Sequence, residues 1–336
     1  MTSYEIVRRA VEFDSPARIP VRFGSMGIDD TYGVPLLPAA GWNPSQENED
    51  EWGCVWHKPT GEICNMGQPK GHPLAQWSEL PRLHFPDPHD PARYARIEEA
   101  LQNPNATDKY LMVGCGFTFF ERMHYLRGFE NLLMDMHLHP TWVHDLAERV
   151  LAFPLGIAQE IGRRFKGRIH GFAMTDDWGT QCDTICSIPM WREFFKERYQ
   201  RLFDAIHEAG LHAWMHSCGH VNVIVGEWID CGLDVVNLQQ PTNLGIEEMG
   251  RDYRGRICFE TICDIQMTLP HGTDEQIRRE ARLLLEHWRT PRGGFVLSDY
   301  GDGKAIGVPD DRKRMMLRAF CEMAAPELLD LLPAPA

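Results

Sequence analysis

A chain of 336 residues, 43% hydrophobic and 24% charged, suits one large α/β barrel or two ordinary soluble domains. Its net charge of −14 argues against nucleic acid or an anionic membrane as a main partner, and against a polyanionic substrate unless basic residues gather locally. Apolar runs are short and broken by charges, and Met1-Thr-Ser-Tyr-Glu5 leads into a charged segment, so the expectation is a cytoplasmic protein without a membrane span. Ten cysteines in that setting read as reduced thiols rather than a disulfide framework.

Residues 3–12 carry Ile6, Val7, Ala10 and Val11 at helical spacing. Arg18-Ile-Pro-Val-Arg-Phe23 reads as a first buried strand. Gly24-Ser-Met-Gly27 is its turn, because neither a GxGxxG pattern nor an apolar helix follows. Residues 28–95 hold prolines at 35, 38, 44, 59, 69, 73, 81, 86, 88 and 91, which break any long element. A compact domain rarely carries so long a structureless loop. The segment is therefore expected to form a loop-rich subdomain over the mouth of the main fold, with Glu51-Trp-Gly-Cys-Val-Trp56 as a strand or hairpin arm. Residues 90–102 read as helical, Leu111-Met-Val-Gly-Cys115 as a strand, and residues 127–133 and 140–165 as helices.

From residue 168 the rhythm is regular. Strands at 168–174, 211–215, 234–238, 256–259 and 294–297 alternate with helices at 188–209, 220–231, near 245–252, 273–289 and 309–324. Such alternation argues a parallel sheet. With the upstream strands the count approaches eight. The expected fold class is therefore α/β, a (β/α)8 TIM barrel made by residues 1–336 as one domain. Nothing of low complexity stands out beyond the tail Pro333-Ala-Pro-Ala336.

Barrel chemistry sits where strands end. The apolar run Leu211–Met215 stops at His216 and Cys218, whose spacing of two points both side chains the same way in extended backbone. An imidazole beside a thiolate favours zinc over magnesium or calcium; the plain alternative is a core cysteine beside a hydrogen-bonded histidine. Neighbouring strands end in Asp176, Asp177, Trp178 and Gln181, in Asn237, Gln239 and Gln240, in Glu260 and Asp264, and in Asp299, Tyr300 and Asp302. Adjacent Asp176 and Asp177 are candidate acid/base groups, or caps of the next helix. Glu260 stands in an apolar strand, where an unpaired acid is costly, so it should meet a cation or a donor.

Thr175-Asp-Asp-Trp-Gly-Thr-Gln181, His216-Ser-Cys-Gly219, Gln239-Gln-Pro241, Asp264-Ile-Gln266, Leu269-Pro-His-Gly-Thr273 and Gly293-Gly-Phe295 resemble the uroporphyrinogen decarboxylase superfamily. Arg18-Ile-Pro-Val-Arg22, Glu51-Trp-Gly53 and Pro86-Asp-Pro88 fit its branch of cobalamin-dependent methyltransferases and their relatives. The resemblance implies a barrel with the pocket at the strand C-termini. It implies a methyltransferase, or demethylase component, acting between a small methylated substrate and a corrinoid (cobalamin) carrier protein. It also implies a homodimer, by family analogy alone. The branch holds zinc with a His-x-Cys pair and a later Cys. His216 and Cys218 match the pair, but Gly301 stands near the place of the later Cys, so Glu260, Asp299 and Asp302 are the candidates to complete the set. In this reading Asp176, Asp177 and His216 are catalytic, and Arg22, Trp178, Gln181, Gln239, Gln240 and Tyr300 bind substrate. The rival is a metal-free decarboxylase or lyase of a small carboxylic acid, with Arg22 gripping the carboxylate. Most of the decarboxylases' basic N-terminal segment is replaced here by Arg22-Phe-Gly-Ser-Met-Gly27. A third reading is a non-catalytic protein that kept the fold and docks the carrier.

Overall fold

A computed structural model of the chain describes residues 1–57 and 67–332; Pro59 and the tail Pro333-Ala-Pro-Ala336 lie outside the described residues. The strands are β1 Val21–Phe23, β2 Ile28–Asp29, β3 Thr31–Pro35, β4 Val55–His57, β5 Gln68–Gly71, β6 Tyr110–Phe117, β7 Gly171–Thr175, β8 His212–His216, β9 Val235–Leu238, β10 Cys258–Thr261 and β11 Phe295–Ser298, and short buried apolar runs make those of the barrel from β6 onward. Nine of them make one sheet in the order β2-β1-β11-β10-β9-β8-β7-β6-β3. Every pairing in it is parallel except the short β1–β2 hairpin. Helices connect the later strands, among them Asn222–Cys231, Asp274–His287 and Asp310–Ala324. The architecture is the expected (β/α)8 barrel.

One residue closes the ring. The Asp30 N–H donates to Val21 O on β1 at 2.8 Å, and its carbonyl accepts from Tyr110 N on β6 at 3.0 Å. Its carboxylate, 4% exposed, takes both Arg18 guanidinium nitrogens at 2.6 and 2.7 Å, the Val21 N–H at 2.8 Å and the Ser3 hydroxyl at 2.7 Å. A buried carboxylate is tolerated when its lone pairs are used in this way. The ion pair also explains why the first strand is shorter than its apolar run suggests. Arg18 turns to Asp30, Pro20 has no N–H for a ladder, and regular pairing begins at Val21.

The N-terminal helix Ser3–Val11 begins with a capping box, Thr2 with Glu5. It packs Val7 and Val11 against Tyr110, Met112, Trp214, Val235, Cys258 and Val296 inside the ring. These residues lie toward the strand starts, so the helix plugs that end and the barrel opens only where strands finish. The segment 28–95 differs from expectation at its start. Ile28–Asp29 joins the barrel sheet beside β1, and Thr31–Pro35 is a barrel strand paired with β6, not loop. Gly33 and Pro35 break its apolar pattern and hide it in the sequence. The rest of the segment holds the β4–β5 hairpin; the Glu51–Arg93 ion pair braces it internally, and Asp50 with Arg122 ties it to the barrel. Trp52 adds edge-on contacts with Phe85 and Phe153. Among the described residues no helix is long and apolar enough to cross a membrane.

Candidate active site

Two loops meet above β7 and β8. Gly179 donates to Cys218 O at 3.1 Å, and His220 N donates to Thr180 O at 2.8 Å. The backbones touch so closely that a Cβ on Gly219 would lie 2.3 Å from Gly179 O, and a Cβ on Gly179 would lie 2.5 Å from the Gly219 carbon. Gly219 also has φ +82°, where L side chains are disfavoured. The two motif glycines therefore let the His-Ser-Cys turn fold onto the Asp-Asp-Trp turn.

That contact fixes the chemistry. The Cys218 N–H donates to Asp177 Oδ1 at 2.8 Å. His216 Nε2 lies 3.2 Å from Cys218 Sγ and 3.8 Å from Asp177 Oδ1. Its Nδ1 is 2.6 Å from Asn237 Oδ1, an acceptor that assigns the proton to Nδ1 and leaves Nε2 facing the thiol and the carboxylate. Ligand atoms of Asp177, His216 and Cys218 all lie within 4.8 Å of one another. Burial pulls the imidazole down, but the Cys218 hydrogen bond, the nearby charges and Asn237 together raise it to about 10. Carboxylate, imidazole and thiol converging from two adjacent strands form a set of three donors of the kind that would hold zinc.

The triad faces a cavity of about 640 Å³ at the barrel mouth. Of the expected site residues, Arg22, Asp177, His216, Cys218, Gln239, Glu260, Asp299 and Tyr300 line it. Others are placed elsewhere. Asp176 is fully buried behind the wall, where its two oxygens accept the N–H groups of Phe120 at 3.0 Å and Glu121 at 2.7 Å and the Tyr199 hydroxyl. It anchors the start of the helix Phe120–Arg127 and is not among the residues that line this cavity. Burial, then the charge of Glu121, pushes its carboxyl up to about 8 against those three donors. Trp178 is buried too, stacked on Phe120 at 4.2 Å with its indole N–H on Tyr199. Gln240 turns inward to accept the Gly219 N–H at 2.8 Å, and Gln181 is exposed outside the cavity. Asp264 holds its own loop through the Gln266 and Met267 N–H groups and Thr242.

The metal expectation needs the same correction. Glu260 is bonded to Arg22, and Asp299 sits 2.6 Å from the buried Lys313 ammonium. Asp302 caps the turn that follows it. Among the described residues, the third potential ligand is Asp177, not these three acids.

Two lining acids escaped the sequence reading. Asp29, on β2, accepts the Thr31 N–H and hydroxyl, each at 2.8 Å. Glu121, 4% exposed, accepts from the Tyr125 and Thr175 hydroxyls at 2.8 and 2.6 Å. Burial raises both carboxyls; for Glu121 the next cause is Asp177. The signal was there in each case: Asp29 belongs to an acid pair directly after the first strand's turn, and Glu121 interrupts the apolar run Phe117-Thr-Phe-Phe-Glu-Arg-Met123.

Over 96% of this chain and 99% of the other, the fold is similar to that of a methyltransferase from Methanosarcina mazei, with TM-score 0.70 and 15% identity. A glycosylated endo-beta-1,4-xylanase from Gloeophyllum trabeum is similar over 68% of this chain and 80% of its own, at 9% identity and TM-score 0.41. No curated protein sequence matches. The model of the family described as uroporphyrinogen decarboxylase (URO-D) matches residues 68–322, and the chain, which carries that family's fold and motifs, belongs to it.

Proposed function

We propose that this protein is a methyltransferase component that moves a methyl group between a small methylated substrate and a corrinoid carrier protein, with help from a metal. The observation that carries the reading is the convergence of Asp177, His216 and Cys218 on one point of the cavity. The likeness in fold to the Methanosarcina mazei methyltransferase supports it. Asp177, His216 and Cys218 would hold zinc, which when bound supplies a Lewis acid for the heteroatom that gives or takes the methyl group.

The chain's own residues do the rest. Asn237 holds the Nδ1 proton of His216, so only the Nε2 proton, which the raised imidazole carries at neutral pH, has to leave for a metal to bind. The Cys218 N–H steadies the Asp177 carboxylate. Phe117, Trp214 and Met215 give the cavity apolar walls that limit water beside the reacting methyl. The decarboxylase alternative asks Arg22 to grip a substrate carboxylate, but its guanidinium is committed to Glu260 and, through Nε, to the Thr31 hydroxyl at 3.2 Å.

The test is a metal analysis of the as-purified protein, followed by methyl transfer with a corrinoid partner. Stoichiometric zinc that is lost in His216→Ala together with turnover is the expected result. A metal-free protein whose His216→Ala variant turns over unchanged ends the proposal.

A further inference from the structure

The cavity carries more acid than base. Asp29, Glu121, Asp177, Glu260 and Asp299 line it, against one permanent cation, Arg22. Glu260 takes that cation, and Lys313 matches Asp299 from behind. Asp177 belongs to the triad. Asp29 and Glu121 form no ion pair among the described residues; hydroxyls and one backbone N–H are their partners. The charges nearest them, Arg22 for Asp29 and His216 for Glu121, are already shared with Glu260 and Asp177, so the withdrawn carboxylates leave an excess of negative charge that suits a further cation.

Position adds to the charge. In the ring β1 stands four strands from β8, by way of β11, β10 and β9. Asp29, hairpin-paired to Arg22 of β1, therefore looks across the mouth at His216 and Cys218. Ser298, at the end of β11 and 3% exposed, lines the same cavity with a hydroxyl that has no partner. The aromatic walls Phe117, Trp214 and Tyr300 suit a cation with an apolar skin.

We propose that the substrate is a small organic cation, an ammonium or other onium compound, whose positive group lies against Asp29 while its reacting end reaches the triad. Glu121 adds negative potential on the wall nearer the triad. The inference rests on the methyl-transfer reading for the identity of the reaction, but it concerns only what the cavity binds.

Calorimetric titration of the wild-type protein with choline and with its uncharged carbon isostere, 3,3-dimethylbutan-1-ol, tests it directly. The cation should bind about tenfold more tightly. Asp29→Asn should erase most of that preference without changing the affinity of the isostere. Equal affinities, a preference that survives in both Asp29→Asn and Glu121→Gln, or no detectable heat from choline at millimolar concentration would each overturn the inference. The wild-type ratio needs no variant, so a misfolded Asp29→Asn does not blunt the test. A protein that holds zinc and transfers methyl groups but ignores charge sinks this inference alone. A charge preference without methyl transfer supports it while removing the reaction assigned above.

Discussion

The two sides of the barrel mouth use the same residue types to opposite effect. On the β7–β8 side, Asp177 has no Lys or Arg partner among the described residues, and its oxygen sits with a thiol and an imidazole around one point. On the β10–β11 side, Glu260 and Asp299 are each joined to a cation, Arg22 and Lys313. A carboxylate already neutralised by a guanidinium or an ammonium is a poor metal ligand; one held only by a backbone N–H is a good one. The partner, not the residue type, decides which acid is left free to take a ligand and which holds the wall.

Substitutions can break that contrast. The largest effect is expected from His216→Ala, which should strip the metal and lower turnover on the order of a thousandfold, as loss of a Lewis acid worth several kcal/mol implies; elemental analysis and initial rates read both. Glu260→Gln should leave metal content alone but destabilise the fold by about 3 kcal/mol in urea unfolding. The lower end of the range for breaking a buried pair applies, because the Arg22 side chain keeps 27% exposure. If Glu260→Gln empties the metal site instead, the two sides have been assigned the wrong way round. Asn237→Ala should weaken metal affinity by roughly 10- to 100-fold through a freed His216 ring, measurable by chelator competition.

The smallest effect concerns Asp176. Its folded carboxyl titrates at about 8 against an ordinary 3.8. A raised folded value means that the unfolded chain releases the proton first. The contribution to stability is therefore complete below about pH 3.8 and declines as pH rises through about 8. The wild type should lose melting temperature between pH 6 and pH 9, and Asp176→Asn should flatten that slope while costing about 1 kcal/mol for the poorer acceptor set.

Much of this was legible in the sequence. The alternation of strands and helices after residue 168 gave the barrel, because each buried parallel strand is a compact apolar run. The strand parity that joins His216 to Cys218 also joins Thr175 to Asp177 and Asn237 to Gln239, all of which line the cavity. Applied beyond the ends of β7 and β9, the same rule separates Asp177 from Asp176 and Gln239 from Gln240, which the sequence pattern alone groups together. What parity does not reach are contacts made across loops. Arg22 meets Glu260 from the far end of the chain, and Lys313 reaches Asp299 from the helix Asp310–Ala324; these pairings occupy two expected metal ligands. Trp178 looked like a substrate contact for a similar reason: only the packed Phe120 and Tyr199 reveal that it faces away.

The β1–β11 pairing carries a consequence for biosynthesis. β1 meets its hairpin partner β2 at once, but Val21 pairs with Leu297, so its parallel neighbour arrives only after residue 297 has left the ribosome. Until then β1 offers a bare edge to any other nascent chain, and ring closure is the slow, long-range step expected to limit maturation.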